Sequence, residues 1–460
     1  MIKIYNTLTD TKEPIPRPKN RPVRLFVCGP TVYDYLHIGN GRTYMVFDLF
    51  ARYLRSRSIK LFYLQNITDV DDKIIARANE QGASWSEIAK TYEKIYKANL
   101  KALNISSVTK YANATKYIPE IVKQVQTLEK KGHVYQIEDD GYYFDLSTFP
   151  SYGKLAGRTI AQAEDGVSRI DMSDRKRNMG DFCVWKFSKP NEPTWKTALG
   201  AGRPGWHIED TAISEHFFGP QYDIHGAGID LKFPHHEAEI AQQESASGKK
   251  PFVKLWMHVG ALTVNGRKMS KSVGNFISIE DMLDKVPADA FRMMIFAHHY
   301  RSPMDFTESM LTQAGKNLYD LTSFTGRLEM AKGVNGKIKI DVQDYEKRFH
   351  AAMENDLNTP EALAALFALF AAIGGNIWQL ESKSARAALL FVKKTLQDIG
   401  FLMKTPKTPP QVKKKAKERE LFRKSKQFIQ SDALRKEIEG LGYVVEDTSN
   451  GPFLWPKPTT

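Results

Sequence analysis

Two stretches far apart in this 460-residue chain carry side chains suited to handling phosphate. The first is Pro30-Thr31-Val32-Tyr33-Asp34-Tyr35-Leu36-His37-Ile38-Gly39-Asn40, and the second is Lys268-Met269-Ser270-Lys271-Ser272. Attack of a carboxylate on the α-phosphate of ATP needs little covalent help; it needs donors that follow the charge developing on the phosphates. A helix N-terminus at Gly39 offers close backbone approach and a favourable dipole, and His37 and Asn40 add side-chain donors. A mobile loop bearing Lys268 and Lys271 can close on the triphosphate and the leaving pyrophosphate. Taken singly, such a His is more often a helix cap and such a Lys pair a solvated surface. Their conjunction carries the reading.

A second constellation has the chemistry of a metal site. Cys28 closes the apolar run Val23–Val27, while His235 and Glu239 stand four apart where a helix is expected to begin. That spacing projects both from one helix face. Between them in the chain lies Arg203-Pro204-Gly205-Trp206-His207-Ile208-Glu209-Asp210. The other cysteine, Cys183, sits in the run Phe182-Cys183-Val184-Trp185 and reads as a buried strand residue.

The elements that must position these groups follow from periodicity. Val23–Val27 and Leu61–Ile67 read as buried strands, and Thr43 to Leu54 carries apolar residues at helical spacing. Strand, crossover helix, strand marks a parallel α/β domain, whose ligands sit beyond the carboxyl ends of the strands, where Cys28 and Thr68 fall. Residues 115–200 interrupt the pattern and read as an insertion. It resumes with a helical stretch from Trp206 to Phe218, a strand Tyr222-Asp223-Ile224 and a helix from His235. His225-Gly226-Ala227-Gly228 then follows the strand end as a loop of close backbone approach. Past 305, amphipathic stretches near 308–332, 342–357, 360–374 and 384–402 predict a helical bundle. From Lys404 to Lys426 come ten Lys/Arg and two Glu, either a solvated tether or an RNA contact.

The bulk composition sets limits. The chain is long enough for two to four domains. Its formal net charge of +13 fits a polyanionic partner without requiring one. Two cysteines exclude a disulfide framework and point to a reducing, cytoplasmic setting. The opening MIKIYNTLTDTKEP lacks the apolar core of a signal peptide, and the run Ala362 to Gly375 is too short to span a membrane. A soluble protein is expected.

The two phosphate-handling segments look like the His-Ile-Gly-His and Lys-Met-Ser-Lys-Ser signatures of class I aminoacyl-tRNA synthetases, with Asn40 where the signature has its second His. The runs Gly205 to Glu209 and Phe233-Pro234-His235-His236-Glu237, with Cys28-Gly29-Pro30-Thr31, resemble the cysteinyl-tRNA synthetases in particular. The resemblance covers nearly the whole chain. It implies a Rossmann-like α/β catalytic domain (1–114 and 201–305), an inserted connective domain (115–200), a helical tRNA-binding bundle (306–403), and a basic linker with a small anticodon-recognition module (404–460).

The same resemblance implies the chemistry. Such an enzyme activates L-cysteine with ATP and transfers it to the 3′ end of tRNA(Cys), with Mg2+ accompanying ATP. One zinc per chain would be held by Cys28, Asp210, His235 and Glu239, with Asp210 standing where the family has cysteine. His207 is a rival ligand, and Asp210 as an ordinary helix residue stays open. Catalysis would fall to His37, Asn40, Lys268 and Lys271. ATP would be held by Thr31, His37, Gly39, Asn40, His225, Gly226, Gly228 and Lys271. Gly29, Thr68, Trp206 and Asp230 would meet the amino acid, although core packing for Trp206 and a loop cap for Asp230 stay open. A pocket alone separates side chains differing by one group by only ~1–3 kcal/mol. A thiol ionises near pH ~8.5, far more readily than a hydroxyl, so metal ligation would reject serine at the first step. A monomer is expected. Two rivals stand: a tRNA-binding paralogue altered in catalysis, and a cysteine ligase acting on a small amine, which would lack the anticodon module.

Overall fold

The computed structural model describes residues 1–158, 173–333, 336–403 and 405–458. The chain divides into two compact units, Met1–Lys285 with Tyr300–Phe306, and Val286–His299 with Thr307–Thr460.

The first unit is built on five parallel strands. Its elements are β1 (Val23–Val27), α1 (Ile38–Ser56), β2 (Leu61–Ile67), β3 (Lys110–Asn113), α2 (Ile208–Phe218), β4 (Tyr222–Gly228), α3 (His235–Ser247) and β5 (Val253–Val259). The sheet order is β5-β4-β1-β2-β3, every pair parallel. Strands of such a sheet are covered on both faces, which is why Val23, Leu25, Phe26 and Val27 are all buried, with only Arg24 partly exposed among them. The strand order reverses between β1 and β4, and a crevice opens at that switch point beyond their carboxyl ends. Cys28 follows one of these strands and Gly228 ends the other.

Helix α1 explains how the phosphate-handling segments are aimed. Its inner face buries Met45, Leu49, Phe50, Tyr53 and Leu54. Arg42, also buried, donates to the carbonyls of Gly260, Ala261, Tyr300 and Ser302 at 2.6–3.3 Å. Those bonds fix α1 against the small sheet of Leu262–Val264, Arg267–Lys268 and Met304–Phe306, from which the Lys268–Ser272 loop projects.

The described part of the insertion holds a helix, Ile118–Lys130, and five antiparallel strands running on to Pro204. Its Val125, Phe144, Val184 and Trp185 share one apolar core with Phe26, Leu64, Ile208 and Ile213 of the α/β layer. The insertion is thus rooted in the catalytic unit, and its sheet reaches four residues past the expected boundary.

The second unit is helical, with Glu308–Ala331, Gln343–Glu354, Thr359–Ile373 and Ser382–Asp398 close to the periodic stretches. It also takes Ala288–Phe296, whose Phe291, Met293, Met294 and Ile295 are all buried, so residues 286–299 leave the expected catalytic span. With its 3-10 extension, Thr359–Gln379 is long and apolar enough to cross a membrane by length and composition. Here Ala362, Leu363, Leu366 and Leu369 are buried in the bundle.

The Lys-rich stretch is a structural correction. Lys404 lies outside the described residues, but Pro410–Lys424 is an α-helix, not a tether. Val412, Ala416 and Arg419 are its buried residues, spaced four and three apart as one face of a helix requires. Val412 and Ala416 form a small core with Ile438 and Val445. Arg419 pairs with both oxygens of Asp447 at 2.5 and 3.0 Å. The lysines hide that stripe from a reading by composition.

Candidate active site

The carboxyl ends of β1, β2 and β4 open into a cleft of about 530 Å3. Of the residues expected to do chemistry, Cys28, Gly29, Thr31, His37, Asn40, Thr68, Trp206, Asp210, Gly228, Asp230, His235 and Lys271 all line it. Gly39, Lys268, His225, Gly226 and Glu239 are not on its wall.

At the phosphate end, His37 and Asn40 cap α1 reciprocally. His37 Nδ1 accepts from the Asn40 backbone N–H, and Asn40 Oδ1 accepts from the His37 backbone N–H, both at 3.2 Å. An accepting Nδ1 carries no proton, so the neutral ring keeps its N–H at Nε2. Burial holds the His37 ring below the usual imidazole range, which favours this neutral form, although Asp230 opposes the shift. Asn40 likewise commits its oxygen and keeps its amide N–H groups. Gly39 makes the cap possible: a Cβ there would lie 2.9 Å from the His37 ring.

Across the cleft, Lys271 Nζ is 2.5 Å from Asp34 Oδ2, and Arg77 reaches the same oxygen at 2.8 Å. Lys268 stands exposed at the base of the loop, where its charge still acts on His37.

At the other end, Cys28, Asp210, His235 and Glu239 converge, each offering a ligand atom within 4.8 Å of the others, and all are buried. His235 Nε2 lies 3.1 Å from both Asp210 Oδ2 and Glu239 Oε1. Burial pushes the Cys28 thiol well above its usual range, with Glu239 and Asp210 adding to the shift. Burial likewise lifts the Glu239 carboxyl to about 8, against the pull of His235. For His235, burial alone would lower the ring, but Glu239 and Asp210 outweigh it and raise it to about 10. Neither Glu239 oxygen has a well-aligned hydrogen bond. Buried sulfur, imidazole and carboxylate donors converging on one point fit a divalent cation.

The surroundings hold this group in place. Asn66 Nδ2 donates to Asp210 Oδ1 while Asn66 Oδ1 accepts from Gly29 N, each at 2.5 Å. Gly29 must be glycine, because a Cβ would lie 1.7 Å from the Asn66 carbonyl oxygen. The Thr68 hydroxyl donates to the buried Glu209 carboxylate. His207 stands behind His235, their Nδ1 atoms 2.7 Å apart, and belongs to neither group of side chains spaced for a metal. Trp206 stacks on the His235 ring at 4.5 Å between centroids, so it faces the cleft and is not core packing.

One expectation fails. β4 runs on to Gly228, so His225 and Gly226 lie inside a strand and not in a loop after it. The His225 ring is buried with Nε2 3.2 Å from Cys28 Sγ, and it does not line the cleft. Gly226 makes room for Phe47, whose ring a Cβ would meet at 2.2 Å. Asp223, His225 and the two glycines disguise a buried strand of mixed composition. Asn66 and His258 had no motif to announce them, and Glu209 and His236 lie within the quoted runs but received no role there; the fold brings all four to the site.

Comparison with known proteins agrees with this geometry. Residues 15–316 match the family model "tRNA synthetases class I (C) catalytic domain", and residues 348–403 match the DALR domain. Among solved structures, Mycobacterium tuberculosis methionyl-tRNA synthetase in complex with methionyl-adenylate aligns over 82% of this chain and 90% of its own, with TM-score 0.60 and 14% identity. A ternary complex of Agrobacterium radiobacter LeuRS aligns over 84% of each chain, with TM-score 0.60 and 11% identity. Fold and site thus define a class I tRNA synthetase.

Sequence relatives narrow this further. A cysteine–tRNA ligase from Carboxydothermus hydrogenoformans is 39% identical over 98% of this chain and 99% of its own. Those of Thermococcus onnurineus and Thermoplasma volcanium are 37% and 40% identical over comparable spans. The chain belongs to the cysteine–tRNA ligase family.

Proposed function

We infer that the chain joins L-cysteine to ATP as cysteinyl-adenylate, releasing pyrophosphate, and passes the cysteinyl group to the 3′ end of tRNA(Cys). The observation that carries this is the single cleft in which a thiol-matched metal-binding group faces the capped start of α1 and the Lys271 loop. Cys28, Asp210, His235 and Glu239 are the residues that would hold zinc. When bound, zinc supplies a Lewis acid that captures a thiolate and discriminates against serine. Asp210 replaces one anionic ligand by another and leaves the formal charge of the set unchanged. As a harder, less donating ligand it favours a more Lewis-acidic metal.

The chain's own residues do the rest. Trp206 closes one side of the amino-acid site, and Thr68 and Asp230 present polar groups towards it. His37 Nε2–H and the Asn40 amide offer donors to the α-phosphate, where negative charge grows as the carboxylate attacks. Lys271, released from Asp34, neutralises the departing pyrophosphate, with Mg2+ bound to the nucleotide. Gly228 lets the nucleotide approach the end of β4. The separate small core of the C-terminal helices favours a polynucleotide acceptor over a small amine. A cytoplasmic monomer suits this chemistry.

The test is cysteine-dependent ATP–pyrophosphate exchange with serine alongside, and metal analysis of wild type and Asp210→Ala. Exchange with cysteine and not serine is expected, with zinc weakened by Asp210→Ala. A zinc-loaded protein without exchange would overturn the activity. Unchanged zinc in Asp210→Ala would remove Asp210 from the ligand set.

A further inference from the structure

A second group of side chains spaced for a metal lies directly behind the first, and it shares two residues with it. Cys28, His225, His236 and Glu239 also offer ligand atoms within 4.8 Å of one another, all buried. Cys28 Sγ is 3.2 Å from His225 Nε2 and 3.3 Å from His236 Nε2, and His225 Nε2 is 3.5 Å from Glu239 Oε2. Tetrahedral zinc with bonds of ~2.0–2.3 Å places its ligands ~3.3–3.8 Å apart, so these separations are close to those a metal imposes.

Two further features point to a ligand. Each imidazole is gripped at its far nitrogen, leaving Nε2 turned inward. His225 Nδ1 is 2.5 Å from the Tyr222 hydroxyl, and His236 Nδ1 is 2.8 Å from His258 Nε2, while His258 Nδ1 is in turn 2.8 Å from Thr7 Oγ1. Such outer partners are what fix the tautomer and aim of a metal-bound histidine. The second feature is Glu239, wholly buried with no well-aligned hydrogen bond to either oxygen.

We propose that Cys28, His225, His236 and Glu239 form an inner binding position for a divalent, thiolate-accepting cation such as zinc. The inner position and the cleft-facing position cannot be fully ligated at once, because both draw on Cys28 and Glu239. They differ in access. Asp210 and His235 line the cleft, whereas His225, His236 and Glu239 do not. An ion in the inner position has four protein ligands and no vacant place for a substrate, the arrangement of a structural site. A metal there is stored out of reach of cysteine. The proposal rests on the metal reading of Cys28 and Glu239, and its test separates the two positions.

Co2+ is the probe, because a thiolate ligand gives it a charge-transfer band and a tetrahedral site gives it strong visible bands. The full-length metal-free Asp210→Ala/His235→Ala double variant loses both residues unique to the outer position. It is expected to bind one Co2+ per chain with a single-thiolate tetrahedral spectrum. Adding His225→Ala and His236→Ala should weaken that binding at least 100-fold. A double variant that holds Co2+ no better than the quadruple variant, while wild type binds it, overturns the inner position and leaves the outer one standing. Should the double variant fold poorly, X-ray absorption of zinc-loaded wild type decides. More than one imidazole per zinc without cysteine, falling to one with it, supports the proposal. One imidazole in both states overturns it.

Discussion

Lys271 Nζ and Asp34 Oδ2 lie 2.5 Å apart, joining the second Lys of the Lys268–Ser272 loop to the segment that leads into α1. Burial pushes the Asp34 carboxyl up, but its hydrogen bonds to Lys271 and the Tyr35 N–H more than offset this. On the proposed mechanism the triphosphate and Asp34 would therefore compete for one ammonium. Lys271 is about half exposed, so the pair is worth no more than ~1 kcal/mol. Asp34→Asn should lower KM for ATP by up to about fivefold with kcat unchanged, and the gain should shrink at high salt. Lys271→Ala should reduce exchange about 10²–10³-fold. A rise in KM for ATP in Asp34→Asn would show instead that the carboxylate serves the bound nucleotide.

His37 has two separable tasks. Its Nδ1 caps α1, and on the proposed mechanism its Nε2–H would meet the reacting phosphate. Asparagine is a good N-cap but places nothing at Nε2, so His37→Asn should keep the melting temperature while exchange falls about 10²-fold or more. His37→Ala should lose activity and also about 1 kcal/mol of stability. The ring's folded pKa is lowered by burial, so its contribution to stability is full above the unfolded value of 6.5. That contribution diminishes as pH falls through the lower folded value. Ring-nitrogen NMR should show one Nε2–H tautomer throughout neutral pH.

Asn66 bridges Gly29 and Asp210. Asn66→Ala would leave one oxygen of buried Asp210 without its donor, a loss of about 1–3 kcal/mol. If Asp210 ligates zinc, release to a chelator should become about 10–100-fold easier. Unchanged release with a lowered melting temperature would mark Asn66 as a purely structural residue.

Gly226 and Gly228 are two apart on β4 but should respond differently. A Cβ at Gly226 runs into the Phe47 ring in the core, so Gly226→Ala should destabilise by about 1–3 kcal/mol with KM for ATP unchanged in the folded protein. At Gly228 the nearest atom is Asp230 Oδ1, the end of an exposed side chain that can turn aside. Gly228→Ala should leave the melting temperature nearly intact and show its effect in KM for ATP. Chemical denaturation and exchange kinetics on both variants check the pair.

Much of this was legible in the sequence because each signal was local. Val23–Val27 is apolar at all but Arg24, His37 and Asn40 have capping-box spacing, and His235 and Glu239 are one helical turn apart. What was not legible depends on residues meeting from afar. Asn66 meets Asp210 only because β2 ends beside the start of α2, and no pattern within either segment announces it. His225 misled for the opposite reason: a His and two Gly look like a loop until the neighbouring strands bury them. The helix at Pro410–Lys424 was hidden because three buried residues sit among many lysines, and composition outweighed period.

The strand order also has a consequence for how the chain is made on the ribosome. β1 pairs early with β2, but its other edge receives β4, which emerges only after the whole insertion has been translated. At about 5–20 residues per second, that apolar edge waits on the order of ten seconds or more. Until then it offers a bare row of backbone donors and acceptors to any passing strand. The candidate metal group waits too, since Cys28 is made before the insertion and Glu239 only after β4. Until β4 closes the sheet, Cys28 is therefore without the side chains that surround it in the folded protein.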